Sequence, residues 1–227
     1  MYTLHIANKN YSSWSLRPWL LLTELNIPFK EVLTPFSQGT SWAEFREFCP
    51  TGLVPCLLDG DTQVWDSLAI TEYIAEDHPS VWPEDKKARA WARSATAEMH
   101  SGFNAIRNEC SMNCALRVDM HAISPALKKN LARLDELWSE GLNRFGGPFL
   151  TGERFTAVDA FFAPVAFRAQ TYDLPLSNVA KRYIETLLSL EGMKQWQTDG
   201  IAEPWREPGH EEEVLQAGTI VKDYRAS

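Results

Sequence analysis

The chain has 227 residues, of which 44% are hydrophobic and 23% are charged, enough for one large domain or two small ones. Its net charge of −8, without a long run of Lys or Arg, argues against a nucleic-acid backbone as a partner. Uninterrupted apolar runs stay well below the roughly eighteen residues of a membrane span, and no secretion signal opens the sequence. We therefore expect a cytoplasmic protein with no membrane partner.

Strand and helix patterns alternate over residues 1–79. Strands are predicted at residues 2–7, in "FKEVL" and as two short strands in "VPCLLDGDTQVWD", where the Asp-Gly-Asp turn at 59–61 indicates a hairpin. Helices are predicted in "SLRPWLLLTELN", in "SWAEFREF" and from Ser67 to Pro79. This order of elements is the layout of a thioredoxin-like α/β domain.

A proline-containing, charged linker, "HPSVWPEDKKAR", places a domain boundary near residue 80. Apolar residues then recur every three or four positions, which predicts an all-α second domain over residues 85–205. Thr156 and Asp159 form a predicted capping box, with Phe155 and Ala160 as its hydrophobic staple, and Pro164 should kink or interrupt the helix that follows. Residues 206–227 are predicted to form a tail along the surface.

Three serines lie between the first strand and the first helix, in "YSSWSLRPW". We expect Ser15 to cap the helix, which would place Pro18 at the third helical position. The backbone N–H groups at a helix start favour an anion by about 0.3 to 2 kcal/mol. Hydroxyls occupy this corner where a redox enzyme holds thiols, so dithiol exchange is excluded. The corner is still suited to stabilising a thiolate that another molecule supplies.

Two further motifs follow in the same domain. The Val54-Pro55 step precedes a strand, which is explained equally well by a cis bond in a tight turn and by a trans proline on an edge strand. Asp66 and Ser67 stand at a helix start, where capping alone would account for them.

Together these motifs resemble the cytosolic glutathione S-transferases, and the resemblance extends over nearly the whole chain. It implies glutathione as co-substrate. The backbone of Val54, held by a cis Pro55, would pair with the cysteinyl part of glutathione, and Asp66 and Ser67 would hold its γ-glutamyl end. It also implies a homodimer, whose two sites lie beside a two-fold interface.

The opening segment is nearest to the zeta class, whose Ser-Ser-Cys-Ser-x-Arg pattern corresponds to residues 12–17, with Trp14 in place of the cysteine. The resemblance makes Ser12 the candidate donor to the thiolate. Tyr11 is its competitor, because other classes use a tyrosine, and Ser13 would support the turn. Trp14 and Arg17 are assigned to the glutathione site.

Three residues are candidates for the second-substrate pocket, namely His100, Arg107 and Arg168. The zeta-class isomerisation benefits from arginines that hold a dicarboxylate, and Arg168 lies in a suitable helix. Alternatively, Arg107 is a solvated arginine and His100 a packed histidine.

The four cysteines, at positions 49, 56, 110 and 114, have no CxxC or zinc-finger spacing, so we assign neither a metal nor a disulfide framework. Cys110 and Cys114 are expected to be small buried residues on one helix face.

Two functional hypotheses follow. The first is a glutathione transferase that activates the thiol for attack on a small-molecule electrophile, by conjugation or by reversible addition that permits isomerisation. The second is a non-catalytic protein of the same fold that binds glutathione or apolar ligands, or serves as a scaffold.

Overall fold

A four-stranded sheet forms the amino-terminal part of the chain, in a computed structural model that describes residues 1–36 and 41–225. The elements here are β1 (Tyr2–Ile6), α1 (Ser13–Glu24), β2 (Phe29–Leu33), α2 (Trp42–Arg46), β3 (Cys56–Asp59), β4 (Thr62–Val64) and α3 (Ser67–Asp77). The strands lie in the order β2-β1-β3-β4, with β1 parallel to β2 and antiparallel to β3. The predicted α/β order is confirmed.

The predicted hairpin joins β3 to β4. Asp59 pairs with Thr62, so Gly60 and Asp61 make a two-residue turn between antiparallel strands. Gly60 has a φ of +59°, a left-handed conformation that glycine adopts without the steric cost of a Cβ. The turn brings β4 back beside β3 and leads into α3, whose first residues belong to the candidate site.

The second part of the chain is mainly helical. After a 3₁₀ turn at Pro79–Val81, its elements are α4 (Lys86–Ser101), α5 (Asn104–Glu109), β5 (Leu116–Met120), α6 (Pro125–Phe145), α7 (Ala157–Tyr172), α8 (Asn178–Ser189), α9 (Glu191–Ala202), α10 (Pro208–Ala217) and β6 (Gly218–Asp223). The helical character of this domain is confirmed, with one short sheet added.

Helix α7 is the central element of the second domain. It is mostly apolar and buried on nearly every side, and it packs against α1, α4 and α8. The predicted capping box is present: the Asp159 carboxylate accepts the Thr156 backbone N–H at 3.0 Å, and also a hydrogen bond from the Tyr183 hydroxyl at 2.8 Å. The helix continues through Pro164, so the interruption considered from the sequence does not occur. Because α7 contacts α1, it ties the two domains together at the candidate site.

The segment after Trp205, predicted as a surface tail, folds into α10 and β6. Strand β6 pairs antiparallel with β5, and the Tyr224 N–H donates to the Ala115 carbonyl at 3.0 Å. Neither strand of this sheet was predicted, because each is five or six residues long and its partner lies about a hundred residues away. The pairing anchors α10 beside the loop that follows β1.

Candidate active site

The start of α1 differs from the sequence prediction. Ser12 is the N-cap residue and the helix begins at Ser13, so the expectation that Ser15 caps the helix is wrong. Pro18 consequently occupies the sixth helical position rather than the third. The reason is a turn in the preceding loop, where the Ser12 N–H donates to the Asn8 carbonyl at 2.8 Å. Because of this turn, the helix begins three residues before the predicted start.

The three serine hydroxyls of this loop have different partners. The Ser15 Oγ accepts the Ala7 backbone N–H at 3.3 Å, so it joins the end of β1 to α1. The Ser12 hydroxyl donates to the Ser15 Oγ at 2.7 Å. The Ser13 Oγ accepts from Nη2 of Arg168 on α7 at 3.1 Å, so it links the two domains. Of the three hydroxyls, that of Ser13 has a charged hydrogen-bond partner, whereas those of Ser12 and Ser15 have none among the described residues.

The Tyr11 hydroxyl binds a carboxylate of the carboxy-terminal helix. The phenol donates to the Glu211 carboxylate at 2.6 Å, and its ring stacks on His210 with centroids 5.0 Å apart. Burial and this hydrogen bond raise the pKa of Tyr11 to about 12. The phenol is therefore protonated at neutral pH, and its one proton points to the carboxy-terminal helix.

The second sequence motif lies at the entrance to β3. The Val54–Pro55 peptide bond is cis, which confirms that alternative over a trans edge proline. Val54 is half-buried and follows Leu53, which is 64% exposed. A backbone at the edge of solvent, held in a fixed bend, is accessible to the backbone of a peptide ligand.

The third motif is at the start of α3. The Asp66 carboxylate caps the helix by accepting the Leu68 N–H at 2.9 Å, and its other oxygen lies 3.3 Å from Nε2 of His100. Ser67 is fully buried, and its hydroxyl has no hydrogen-bond partner in the described part of the chain. Capping and ligand binding are thus compatible roles for Asp66, because half of its side chain remains exposed.

Trp14 lies among cationic side chains. The Arg17 guanidinium is 4.0 Å from the centroid of the indole ring, and the Arg107 guanidinium is 5.3 Å from it. Arg17 is 1% exposed, and its Nε and Nη1 have no partner among residues 1–36 and 41–225. Burial, together with the charges of Arg107 and Arg168, lowers the pKa of Arg17 well below its ordinary value. Asp66 is the acidic group that partly offsets this charge.

The side chains of all three candidates for the second-substrate pocket contact other residues of the protein. Arg107 donates to the carbonyls of Met99, at 3.0 Å, and Gly102, so it closes the end of α4 and is not a solvated arginine. His100 packs edge-on against Trp14, and burial lowers its pKa despite the nearby Asp66 carboxylate.

Arg168 is 5% exposed and donates to the Cys110 carbonyl as well as to Ser13. Burial lowers its pKa to about 10, and its Nε has no partner in the structure as described.

Residues of α10 also reach this region, and they were not among the residues predicted from the sequence. His210 and Glu211 contact Tyr11, and the Glu213 carboxylate accepts the Ser111 hydroxyl at 2.6 Å. The one local signal is "EPGH", in which Glu207 caps a helix that has proline at its first position. The long-range placement of that helix depends on the β5–β6 pairing, which has no local signal.

The described residues were compared with the requirements of a metal site and of a membrane helix. They contain no group of three His, Cys, Asp or Glu side chains arranged to hold a metal ion, and no helix long and apolar enough to cross a membrane. All four cysteines are buried thiols, and burial was predicted for Cys110 and Cys114. Their predicted place on one helix face is wrong, because α5 ends at Glu109 and Cys114 lies in the turn before β5.

Family models match both parts of the chain. Residues 11–77 match the glutathione S-transferase amino-terminal domain, and residues 89–207 match the glutathione S-transferase carboxy-terminal domain. The chain belongs to the glutathione S-transferase family. Helix α10 and strand β6 lie beyond the residues that the family model matches, and α10 supplies the residues that contact Tyr11.

Relatives of this glutathione S-transferase support the resemblance to the zeta class. Glutathione S-transferase Z2 of Arabidopsis thaliana is 28% identical over 170 residues, covering 69% of this chain and 74% of the relative. A probable maleylacetoacetate isomerase of Caenorhabditis elegans is 26% identical over 186 residues, covering 78% of this chain and 84% of the relative. A zeta-class transferase of Euphorbia esula is 26% identical over 164 residues, covering 70% and 73%.

Solved structures share the fold. A glutathione transferase homologue from Burkholderia with bound glutathione has a TM-score of 0.65 at 20% identity, covering 88% of this chain and 97% of the other. The tau-class transferase of mango has a TM-score of 0.67 at 20% identity, covering 95% and 98%. These similarities confirm a thioredoxin-like domain followed by a helical domain.

Proposed function

We propose that this glutathione transferase binds glutathione between the Val54–Pro55 bend and the start of α3, and activates its thiol for attack on a small electrophile. The observation that carries the proposal is a set of buried polar groups without partners in the described residues. The Ser67 hydroxyl and Nε and Nη1 of Arg17 are the principal ones, and the Asp66 carboxylate remains half-exposed near them. A ligand end with both a carboxylate and an amine, as in the γ-glutamyl group, complements donors beside one acid.

The Ser12–Ser15 pair is our proposed thiol-activating device. The Ser15 Oγ already accepts the Ala7 N–H, so it is free to donate its own proton. When a thiolate binds, the 2.7 Å bond reverses: Ser15 donates to Ser12, and Ser12 turns its proton to the sulfur. Ser12 is then the catalytic hydroxyl and Ser15 a positioning residue. Tyr11 is the weaker candidate because its proton is used by Glu211.

Isomerisation of a dicarboxylate is a second candidate activity, favoured by the cations around Trp14. The maleylacetoacetate isomerase name of the Caenorhabditis elegans relative gives this activity its chemical class. Arg168 has an unpartnered Nε in the described structure, which suits a substrate carboxylate. Trp14 stands in place of the cysteine of the zeta pattern, so conjugation is the activity we place first. Nothing in the site favours the non-catalytic alternative.

The test is calorimetric titration of glutathione into wild type and Asp66→Ala. Loss of a charged partner for the γ-glutamyl amine should weaken binding by about 1.5 to 3 kcal/mol. Asp85→Ala is the matched control, because Asp85 caps α4 in the same way, accepting the Ala88 N–H at 2.8 Å. Equal glutathione affinities in wild type and Asp66→Ala would overturn the site assignment.

We further propose a homodimer in the cytoplasm. The exposed indole of Trp65, next to Asp66, supports an interface beside the glutathione site, and four unpaired thiols are in keeping with a reducing compartment. Light scattering should report about twice the 25.8 kDa of one chain, and a mass of one chain at micromolar concentration would contradict the dimer.

A further inference from the structure

Helix α10 carries a carboxylate–imidazole pair. Glu207 caps the helix by accepting the His210 backbone N–H at 2.7 Å, and its carboxylate also lies 2.6 Å from Nδ1 of the same residue. An ionised carboxylate is an acceptor only, so Nδ1 must carry the proton that joins the two groups. Nε2 is therefore the nitrogen left for other chemistry, and it makes no hydrogen bond within the described residues.

Two aromatic rings stack on the imidazole of His210. Tyr11 stacks on one face with centroids 5.0 Å apart and an interplanar angle of 27°, and Phe36 stacks with centroids 5.3 Å apart at 26°. The imidazole is still 29% exposed. Two rings and a carboxylate hold this imidazole, and it is partly exposed to solvent. Its Nε2 is therefore suited to transfer a proton from a fixed position.

A cavity of about 440 Å³ lies in front of this pair. Apolar side chains of Phe36, Phe45 and Leu53 line it together with His210. Leu53 precedes Val54, the proposed partner of the cysteinyl backbone, and Tyr11 precedes Ser12. The cavity is thus lined by the chain neighbour of Val54 and by His210, which stacks on the chain neighbour of Ser12, and it has an apolar lining suited to an organic substrate.

We propose that His210 is a catalytic general acid that protonates the adduct when glutathione adds to an uncharged α,β-unsaturated carbonyl compound in this cavity. The inference rests on the proposed activation of glutathione. Glu207 and Glu213 also line the cavity, so a substrate carboxylate would meet like charges there. An uncharged activated alkene meets none of that repulsion.

The proposed step balances as a simple addition. The thiol releases its proton to solvent, and the thiolate sulfur forms a bond to the β carbon. The π electrons of the double bond move toward the carbonyl oxygen, which gives an enolate. Nε2–H of the His210 imidazolium then gives its proton to the α carbon, and the imidazole is reprotonated from solvent. The net reaction adds glutathione across the double bond, with no oxidant or reductant.

The test compares two electrophiles with the same enzyme. An α,β-unsaturated ketone needs protonation of its adduct, whereas a chloronitrobenzene loses chloride and needs none. His210→Phe keeps the stacking between Tyr11 and Phe36 but removes the acid, and should lower the ratio of ketone turnover to chloronitrobenzene turnover by about a hundredfold. Glu207→Gln should lower the same ratio, but less. His121→Phe is the matched control, because His121 is exposed and contacts Thr219 at 3.3 Å.

Each outcome separates the two proposals. Wild-type enzyme that conjugates neither electrophile would overturn the proposed function. Wild-type activity with an unchanged ratio in His210→Phe would overturn the role of His210 and leave the proposed function standing. If His210→Phe fails to fold, His210→Ala with added imidazole replaces it. Imidazole should then restore ketone turnover selectively, and equal or absent rescue of the two reactions would overturn the inference.

Discussion

Replacing Ser12 with alanine should raise the pKa of the bound glutathione thiol. Ser12 is buried, so a hydrogen bond from its hydroxyl to the thiolate would be shared with little water. Such a bond to a charged acceptor contributes about 1.5 to 3 kcal/mol, and about 1.36 kcal/mol corresponds to one pKa unit. The thiol pKa should therefore rise by about one to two units, and turnover at neutral pH should fall by about ten- to a hundredfold.

The measurement is a pH titration of the thiolate absorbance with glutathione bound, repeated on the conjugation rate. Ser12→Thr keeps a hydroxyl and is the matched control. Ser15→Ala should raise the thiol pKa by less, and should also lower the free energy of unfolding by about 1 to 3 kcal/mol, because the buried Ala7 N–H loses its acceptor. A rise in Ser13→Ala with no change in Ser12→Ala would refute the reasoning and move the role to the serine beside Arg168.

Two further predictions concern neighbouring groups. Tyr11→Phe should shift the thiol pKa far less than Ser12→Ala, since the phenol donates to Glu211; an equal or larger shift in the same titration would reverse the assignment. Arg17→Met should stabilise the ligand-free protein by about 1 kcal/mol or more in urea unfolding while weakening glutathione binding in calorimetry. Lower stability with unchanged affinity would contradict this.

Burial raises the pKa of Asp159 to about 6 from 3.8, so the folded state binds the proton more tightly. As the pH rises from about 4 to about 6, wild type should lose up to about 3 kcal/mol of its free energy of unfolding, and Asp159→Asn should not. The measurement is urea unfolding of both proteins across this pH range, and the same pH dependence in both would exclude the effect.

The parts of the structure that were predictable from sequence have strong local signals. The Asp-Gly-Asp turn fixes the β3–β4 hairpin, and the Thr156 and Asp159 box starts α7. The Val54–Pro55 motif also predicted one edge of the candidate site, although the sequence left its cis geometry open. In each case a few adjacent residues determine the conformation, so a linear reading is sufficient.

The start of α1 was predicted wrongly because three serines compete for one capping position. Capping preference alone does not distinguish Ser12 from Ser15. A cap at Ser15 would also have placed Pro18 in the first turn, where proline is tolerated. The decision is made by tertiary contacts, since the Ser15 hydroxyl is needed by Ala7 and the Asn8 carbonyl holds the Ser12 N–H. The same limit applies to α10, whose place beside Tyr11 follows from pairing between distant strands.

The buried Arg17 shows what the proposed glutathione site costs the folded protein. Placing Arg17 in the interior without a full set of partners costs stability, because the described residues offset its desolvation by stacking on Trp14 and Phe161 and by the charge of Asp66. A fold selected for stability alone would place an apolar side chain there. In the proposed site, the anionic end of glutathione would supply partners for Arg17, so part of the free energy lost on folding would be regained on binding.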